Sequence, residues 1–484
     1  MAGILIAGTS SDAGKSLVVT GLCRALRRRG VDVVPYKAQN MSNNSMVCPD
    51  GAEIGRAQYL QALAAGVTPS SAMNPVLLKP GTDRRSFIVV RGRPGGVLDA
   101  GEYATGRGQL AEAAWAAYAE LASGHELVVC EGAGSPAEIN LRAGDYVNMG
   151  LARRFGLPVV LVGDIDRGGV LASIFGTWGL LDDADRALLR GFVINKFRGD
   201  QSILDPGLVE ISRRTGLANV GVLPWLPDVW LDGEDALEVG RWRREASGVA
   251  EGDLRVAVVR LPRVSNATDV DALAGEPGVD VVVTTDPQVV AEADLAILPG
   301  SRSTVSDLGW LRHRGLADAV AARAAQGRPV LGVCGGYQML AETIGDEGGT
   351  EASGGGTIAG LGLLPVSVEF GDDKVLGTPS GEWRGVPVGG YEIHHGVCRV
   401  TGEAEPFLDG CRRGAVWGTM WHGALETDAF RRAWLTEAAR QAGRDWTPPP
   451  GALGYAERRE RMIETLADAV DAHLDVDALM RAAS

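Results

Sequence analysis

Gly3-Ile4-Leu5-Ile6-Ala7-Gly8-Thr9-Ser10-Ser11-Asp12-Ala13-Gly14-Lys15-Ser16 begins with an apolar run, turns through a glycine-bounded loop and ends in Gly-Lys-Ser. An amphipathic pattern follows, with Leu17, Val18, Leu22, Ala25 and Leu26 on one face, and closes at Gly30. Strand, loop and helix in that order predict a phosphate cradle, because loop N–H groups and the helix N-terminus converge on phosphate oxygens. Lys15 then reaches the outer phosphates and the Ser16 hydroxyl a magnesium ion. Five residues separate Gly8 from Gly14, one more than in the usual P-loop. Gly8, Thr9, Asp12, Gly14, Lys15 and Ser16 are the nucleotide-binding candidates of this loop.

Outward from the loop, short apolar runs alternate with helical patterns. Ile4 to Ala7, Val31 to Val34, Leu127 to Cys130, Pro158 to Val162 and Gly191 to Ile194 read as strands of a largely parallel sheet covered by helices. Ligands of such sheets bind at the carboxyl ends of the strands. Glu131, Asp164 and Asp166 stand there as magnesium or substrate candidates, and Asn195-Lys196 as a dipeptide able to read an adenine edge.

From Asp232 to Asp253 the pattern breaks into a charged, glycine-containing stretch, and alternation restarts at Val256 to Val259, Val281 to Val283, Leu295 to Leu298 and Val330 to Val333. The expected division is 1–230, a linker at 231–252, a second α/β domain at 253–445, and a Pro-rich segment with a terminal helix at 446–484. Met462, Ile463, Leu466, Val470 and Leu474 recur in that tail at helical spacing.

The last of those strands enters Gly332-Val333-Cys334-Gly335-Gly336-Tyr337-Gln338, with a helical stretch expected from Met339 to Thr343. Small residues two before and two after Cys334 permit a tight strand-to-helix turn, which exposes the sulfur at a helix N-terminus. Leu298-Pro299-Gly300-Ser301 ends another strand and offers N–H groups to an oxyanion. His422, in Trp421-His422-Gly423, is the candidate base, while His394 and His395 are expected to line the pocket.

With 484 residues and 45% hydrophobic content the chain can build two or three cores. A net charge of -14 argues against nucleic acid as partner. Six cysteines without a CxxC pair fit a reducing compartment. No basic leader and no run of about 18 apolar residues is visible, so the expectation is cytoplasmic, with no membrane partner. Oligomeric state is not legible.

The order Pro-Gly-Ser, cysteine elbow and Trp-His-Gly resembles the class I glutamine amidotransferases. That resemblance implies a C-terminal domain in which Cys334 forms a glutamyl thioester and releases ammonia, with Gly300, Gly335 and Gln338 around the oxyanion and the glutamine. Members carry a glutamate two residues after the histidine. Ala424 stands there in this chain and the nearest acid is Glu426, so a Cys334 and His422 pair is implied and its third member left open.

The first loop is similar to that of dethiobiotin synthetase and its relatives, which phosphorylate carboxylates or carbamates. Tyr36 to Met41, Met73 to Pro80, Glu131 to Asn140, Asp164 to Val170 and Asn195 to Asp200 together resemble the cobyric acid synthase family over nearly the whole chain, the Pro-rich tail excepted. Membership implies ATP- and glutamine-dependent amidation of the b, d, e and g carboxylates of adenosylcobyrinic acid a,c-diamide, giving adenosylcobyric acid. Implied cofactors are ATP and Mg2+, with Lys37, Asn195 and Lys196 joining the cofactor-binding set and Ser16 and Glu131 holding the metal. Lys79, Arg84, Arg85, Arg167 and Arg198 are cations near these motifs able to hold a corrinoid polycarboxylate. Alternative readings are a cobyrinic acid a,c-diamide synthase and a partitioning-type P-loop ATPase switch; the second leaves Cys334 and His422 without a purpose.

Overall fold

The computed structural model describes residues 2–82, 85–99, 107–227, 229, 252–351 and 355–483. The predicted connection at 231–252, Gly252 apart, lies outside the described residues, as does Arg84.

Six parallel strands form the N-terminal sheet, in the order Ala218–Pro224, Leu189–Phe197, Val159–Asp164, Ala2–Gly8, Leu127–Glu131 and Val33–Tyr36. The strand Leu127–Glu131 is buried throughout, which is why it is a continuous apolar run rather than an alternating one. The P-loop, Glu131, Asp164 and Asn195 all fall at the carboxyl ends of adjacent strands. The helix Lys15–Arg28 leaves the loop and covers one face.

A second sheet has seven strands, ordered Val279–Thr284, Leu254–Val259, Leu295–Leu298, Val330–Val333, Val416–Thr419, Gly410–Arg413 and Glu405–Phe407. It is parallel through Val416–Thr419 and antiparallel beyond. Both halves of the α/β expectation therefore hold.

The sequence reading did not foresee two further four-stranded sheets. Gln39–Met41, Val76–Thr82, Arg85–Val90 and Arg93–Asp99 form one, against the N-terminal domain. Thr357–Ala359, Thr343–Gly345, Val366–Gly377 and Glu392–Val400 form the other. Thr343 thus begins a strand, and the helix after Cys334 runs Gly335–Met339 rather than Met339 to Thr343.

The tail helix Tyr455–His473 returns from the second domain to lie on Lys15–Arg28 of the first. Arg24 pairs with Glu460 and Glu464, and Arg28 with Glu464 and Asp468. Partly exposed pairs contribute about 0–1 kcal/mol each. Burial of Met462, Ile463, Leu466 and Val470, at about 1.5–3 kcal/mol per side chain, decides the docking.

Candidate functional site

Cys334 is held in the elbow geometry, with φ 49° and ψ −109° between strand and helix. Two glycines make that turn possible. A Cβ on Gly336 would lie 1.9 Å from the Leu298 carbonyl oxygen, and one on Gly332 2.7 Å from the Tyr337 nitrogen. Gly335 backs directly onto Ser301, where a Cβ would stand 2.6 Å from the Ser301 nitrogen. Gly300 faces the imidazole, its absent Cβ 2.9 Å from Cε1 of His422. The Pro-Gly-Ser turn, Cys334 and His422 are thus brought together as expected.

His422 is fully buried, and its Nδ1 stands 2.6 Å from Oδ2 of Asp269. The other oxygen of Asp269 accepts the N–H of Gly423 at 2.9 Å. Complete burial acts to lower the pKa of His422, yet the Asp269 carboxylate, with Cys334 adding to it, raises it from 6.5 to about 10. The Tyr391 ring stacks on the imidazole with centroids 5.3 Å apart.

Asp269 is the acid that sequence reasoning missed. It sits in the short turn Ala267–Val270, well past the strand Leu254–Val259, and no local motif marks it. Glu426, the nearest acid in sequence, points elsewhere: it pairs with Arg56 and Arg459.

A cavity of 380 Å³ opens beside Cys334. Gln338 lines it, its Oε1 accepting from Thr304 and its Nε2 donating to the Gly396 carbonyl. His394 and His395 line it too, both kept neutral with pKa values near 4, chiefly by burial. The opposite wall comes from the other domain, through Lys79, Phe87, Ile88 and Val89. Burial lowers Lys79 to about 8, opposed by Glu53, which also accepts from Lys374. Lys79, one of the cations expected to be able to hold a polycarboxylate, thus lines the cysteine pocket. Arg302 lies over the Phe87 ring, 3.5 Å from its centroid, and burial raises Glu351 beside it to about 7.

The second centre is a cavity of 310 Å³ lined by Asp12, Lys15, Lys37, Gln39, Asn40 and Gly134 among others. Lys15 Nζ donates to the carbonyls of Ser10 and Gly134, and a Cβ on Gly8 would stand 2.9 Å from it. Gly14 takes φ +91°, with Asn195 so close that a Cβ would meet its amide nitrogen at 2.0 Å. Asn195 donates to the Ala13 carbonyl and Lys196 to the Asp12 carbonyl and Asp164, so this dipeptide braces the P-loop from beneath. Thr9 is tied through its N–H to the Val162 carbonyl.

Glu131 is fully buried. Ser16 Oγ donates to its Oε1 at 2.8 Å, Lys37 pairs with the same oxygen at 2.7 Å, and Gln61 donates to Oε2 at 2.6 Å. A hydroxyl and a carboxylate adjoining at the P-loop are hard oxygens of the kind a small divalent cation takes, so the residues fit Mg2+. Lys37 shares that carboxylate. No cluster of three or more His, Cys, Asp or Glu that could hold a metal occurs among the described residues.

Arg167 reaches towards Asp12 at 3.8 Å, and Arg198 lies over Trp225, 3.6 Å from Asp166; both are largely exposed. Side chains of Arg84 and Arg85 lie outside the described residues. No helix among the described residues is long and apolar enough to cross a membrane.

Residues 4–238 match the family described as the CobQ/CobB/MinD/ParA nucleotide binding domain, and residues 255–430 the CobB/CobQ-like glutamine amidotransferase domain. The chain is 72% identical to the cobyric acid synthase of Cutibacterium acnes over 480 residues, covering 99% of both chains. It is 58% identical to that of Mycolicibacterium gilvum, over 99% of this chain and 96% of the relative. Against that of Mycobacterium tuberculosis it is 56% identical, over 100% and 97%. The likeness includes the Pro-rich tail that the sequence reading had set apart. By these matches, in both its nucleotide and its glutaminase halves, the chain belongs to the cobyric acid synthase family.

Proposed function

We propose that the protein amidates the b, d, e and g carboxylates of adenosylcobyrinic acid a,c-diamide, drawing nitrogen from glutamine and activation from ATP, to give adenosylcobyric acid. The observation that carries this is the shared cavity: the pocket of Cys334 is walled by Lys79 and Phe87 of the nucleotide half, so ammonia is released against the domain that consumes it.

In the glutaminase half the Cys334 sulfur attacks the γ-carboxamide carbon of glutamine, and the N–H groups of Gly300 and Gly335 receive the oxyanion. The proton on His422 passes to the departing nitrogen, which leaves as ammonia. Asp269 holds the imidazole through Nδ1 and stabilises its charge while Nε2 faces the sulfur. Water then attacks the glutamyl thioester, giving glutamate and the free thiol.

In the nucleotide half a substrate carboxylate oxygen attacks the γ-phosphorus of ATP, ADP leaves, and ammonia displaces phosphate from the acyl phosphate to form the amide. Lys15 and the loop N–H groups bind the phosphates, and Lys37 adds a cation in the same cavity. Ser16 and Glu131 would hold Mg2+, which would supply further charge neutralisation there.

The test supplies purified protein with ATP, glutamine and either cobyrinic acid or its a,c-diamide, following product masses. Four amide additions to the a,c-diamide are expected. Preferential two-fold amidation of cobyrinic acid would favour the a,c-diamide synthase reading instead.

A further inference from the structure

Residues 43–56 of the nucleotide half reach across the domain interface and touch both loops that carry the imidazole and its acid. Asn44 Oδ1 accepts the N–H of Ala267 at 3.0 Å, and Asn266 Oδ1 accepts the N–H of Ser45 at 2.9 Å. The Asn43 carbonyl accepts the N–H of Asn266 at 3.3 Å. Two side-chain amides are thus exchanged between the halves. All four residues of the exchange are buried. Loss of either acceptor strands a buried N–H, at a cost of about 1–3 kcal/mol.

The clasped turn is the one that places Asp269. Asn266 sits at φ +50° and ψ +44°, a left-handed conformation that few residues other than glycine adopt, and Asp269 donates its N–H to the Asn266 carbonyl at 3.0 Å. On the other side, the Asn44 carbonyl accepts the N–H of Arg56 at 3.1 Å, and the Arg56 guanidinium pairs with Glu426 in the turn after His422. Gly423 closes the circuit with its hydrogen bond to Asp269. Asn44, Ala267, Asp269, Gly423, Glu426 and Arg56 form one ring of contacts, anchored in the nucleotide domain through Asn44 and Arg56.

We infer that Asn44 is a positioning residue for glutamine hydrolysis: the nucleotide half, through Asn44, sets Asp269 against His422. The inference rests on the assignment of Cys334 and His422 to the glutaminase reaction. Asn44 lies outside the lining of the Cys334 cavity, so its effect falls on the chemical step and not on the binding of glutamine.

The experiment compares Asn44→Ala in the wild-type and Asp269→Asn backgrounds of the full-length protein. In the wild-type background kcat for glutamine hydrolysis should fall by about tenfold or more, with KM and ammonium-dependent amidation within about twofold of the parent. In the Asp269→Asn background the same substitution should change kcat less than about twofold, since the residue through which it acts is already disabled. Equal losses in both backgrounds, a rise in KM at constant kcat, or an unchanged kcat overturns the inference. Should Asn44→Ala also lose ammonium-dependent amidation through misfolding, Asn44→Ser, which keeps a polar side chain too short to reach the Ala267 N–H, reads kcat in the same two backgrounds. A wild-type protein that hydrolyses no glutamine contradicts the functional reading itself, a result distinct from all of these.

Discussion

Oδ2 of Asp269 lies 2.6 Å from Nδ1 of His422, across 153 residues of chain. That contact completes a Cys-His-acid arrangement with an acid drawn from the turn Ala267–Val270, whereas Ala424 stands two residues past the histidine. It also sets the charge state: with His422 raised to about 10, the imidazole stays protonated throughout the neutral range.

Asp269→Asn should therefore lower glutamine-dependent amidation by about 10²–10⁴-fold, through loss of the imidazole's orientation and charge. Ammonium-dependent amidation should remain near the parent rate. Steady-state rates with the two nitrogen sources check this, and a loss smaller than tenfold removes Asp269 from the machinery.

The same contact has a stability signature. A folded pKa of about 10 against 6.5 unfolded stabilises fully below pH 6.5, and that contribution is lost as pH rises through 10. Thermal melts of wild type and Asp269→Asn should differ most at pH 6.5 and just below, and converge towards pH 10. A gap that widens with pH contradicts the assignment.

Lys15→Ala should abolish amidation with glutamine and with ammonium alike, because the lysine neutralises phosphate charge in transfer. Glutamine hydrolysis should persist. Retained amidation at near the parent rate would remove the nucleotide assignment.

Glu131→Gln should raise the Mg2+ concentration needed for half-maximal amidation, since a charged ligand becomes neutral. It also leaves Lys37 buried without its carboxylate, a change that costs about 3–5 kcal/mol. A magnesium titration and a thermal melt read the two effects separately; an unmoved titration returns Glu131 to a purely structural role.

Gly336→Ala drives a methyl to within 1.9 Å of the Leu298 carbonyl, a backbone atom that cannot swing away. Glutaminase activity and the stability of the second domain should both drop. Gly176→Ala is the contrast: its Cβ meets nothing within 4 Å inside the helix Val170–Leu180, so stability should rise by about 0.5–1 kcal/mol. Differential scanning calorimetry separates them.

The P-loop and the cysteine elbow are legible in the sequence because each is contiguous: strand, glycines and functional residue lie within about ten positions, and local sterics dictate the turn. Asp269 is not legible, for its partner lies 153 residues away and its turn has no periodicity to mark it. Lys79 reads from its neighbours in sequence only as a cation able to hold a polycarboxylate; its place in the cysteine cavity, paired with Glu53 26 residues away, is marked by no local pattern. The sheet built on Val76–Thr82, Arg85–Val90 and Arg93–Asp99 hides behind Pro80, Gly81, Pro94 and Gly95, which break the alternation that marks a strand.

The central claim is a division of labour between two halves joined by ammonia, and the direct measurement is product formation by Cys334→Ser with each nitrogen source. The serine hydroxyl barely ionises near neutral pH, so glutamine-dependent amidation should fall by several orders of magnitude. High ammonium chloride at mildly alkaline pH should restore product formation, with ATP consumed alongside. Loss of amidation from both sources in a folded variant, or full retention of glutamine use, would contradict the account.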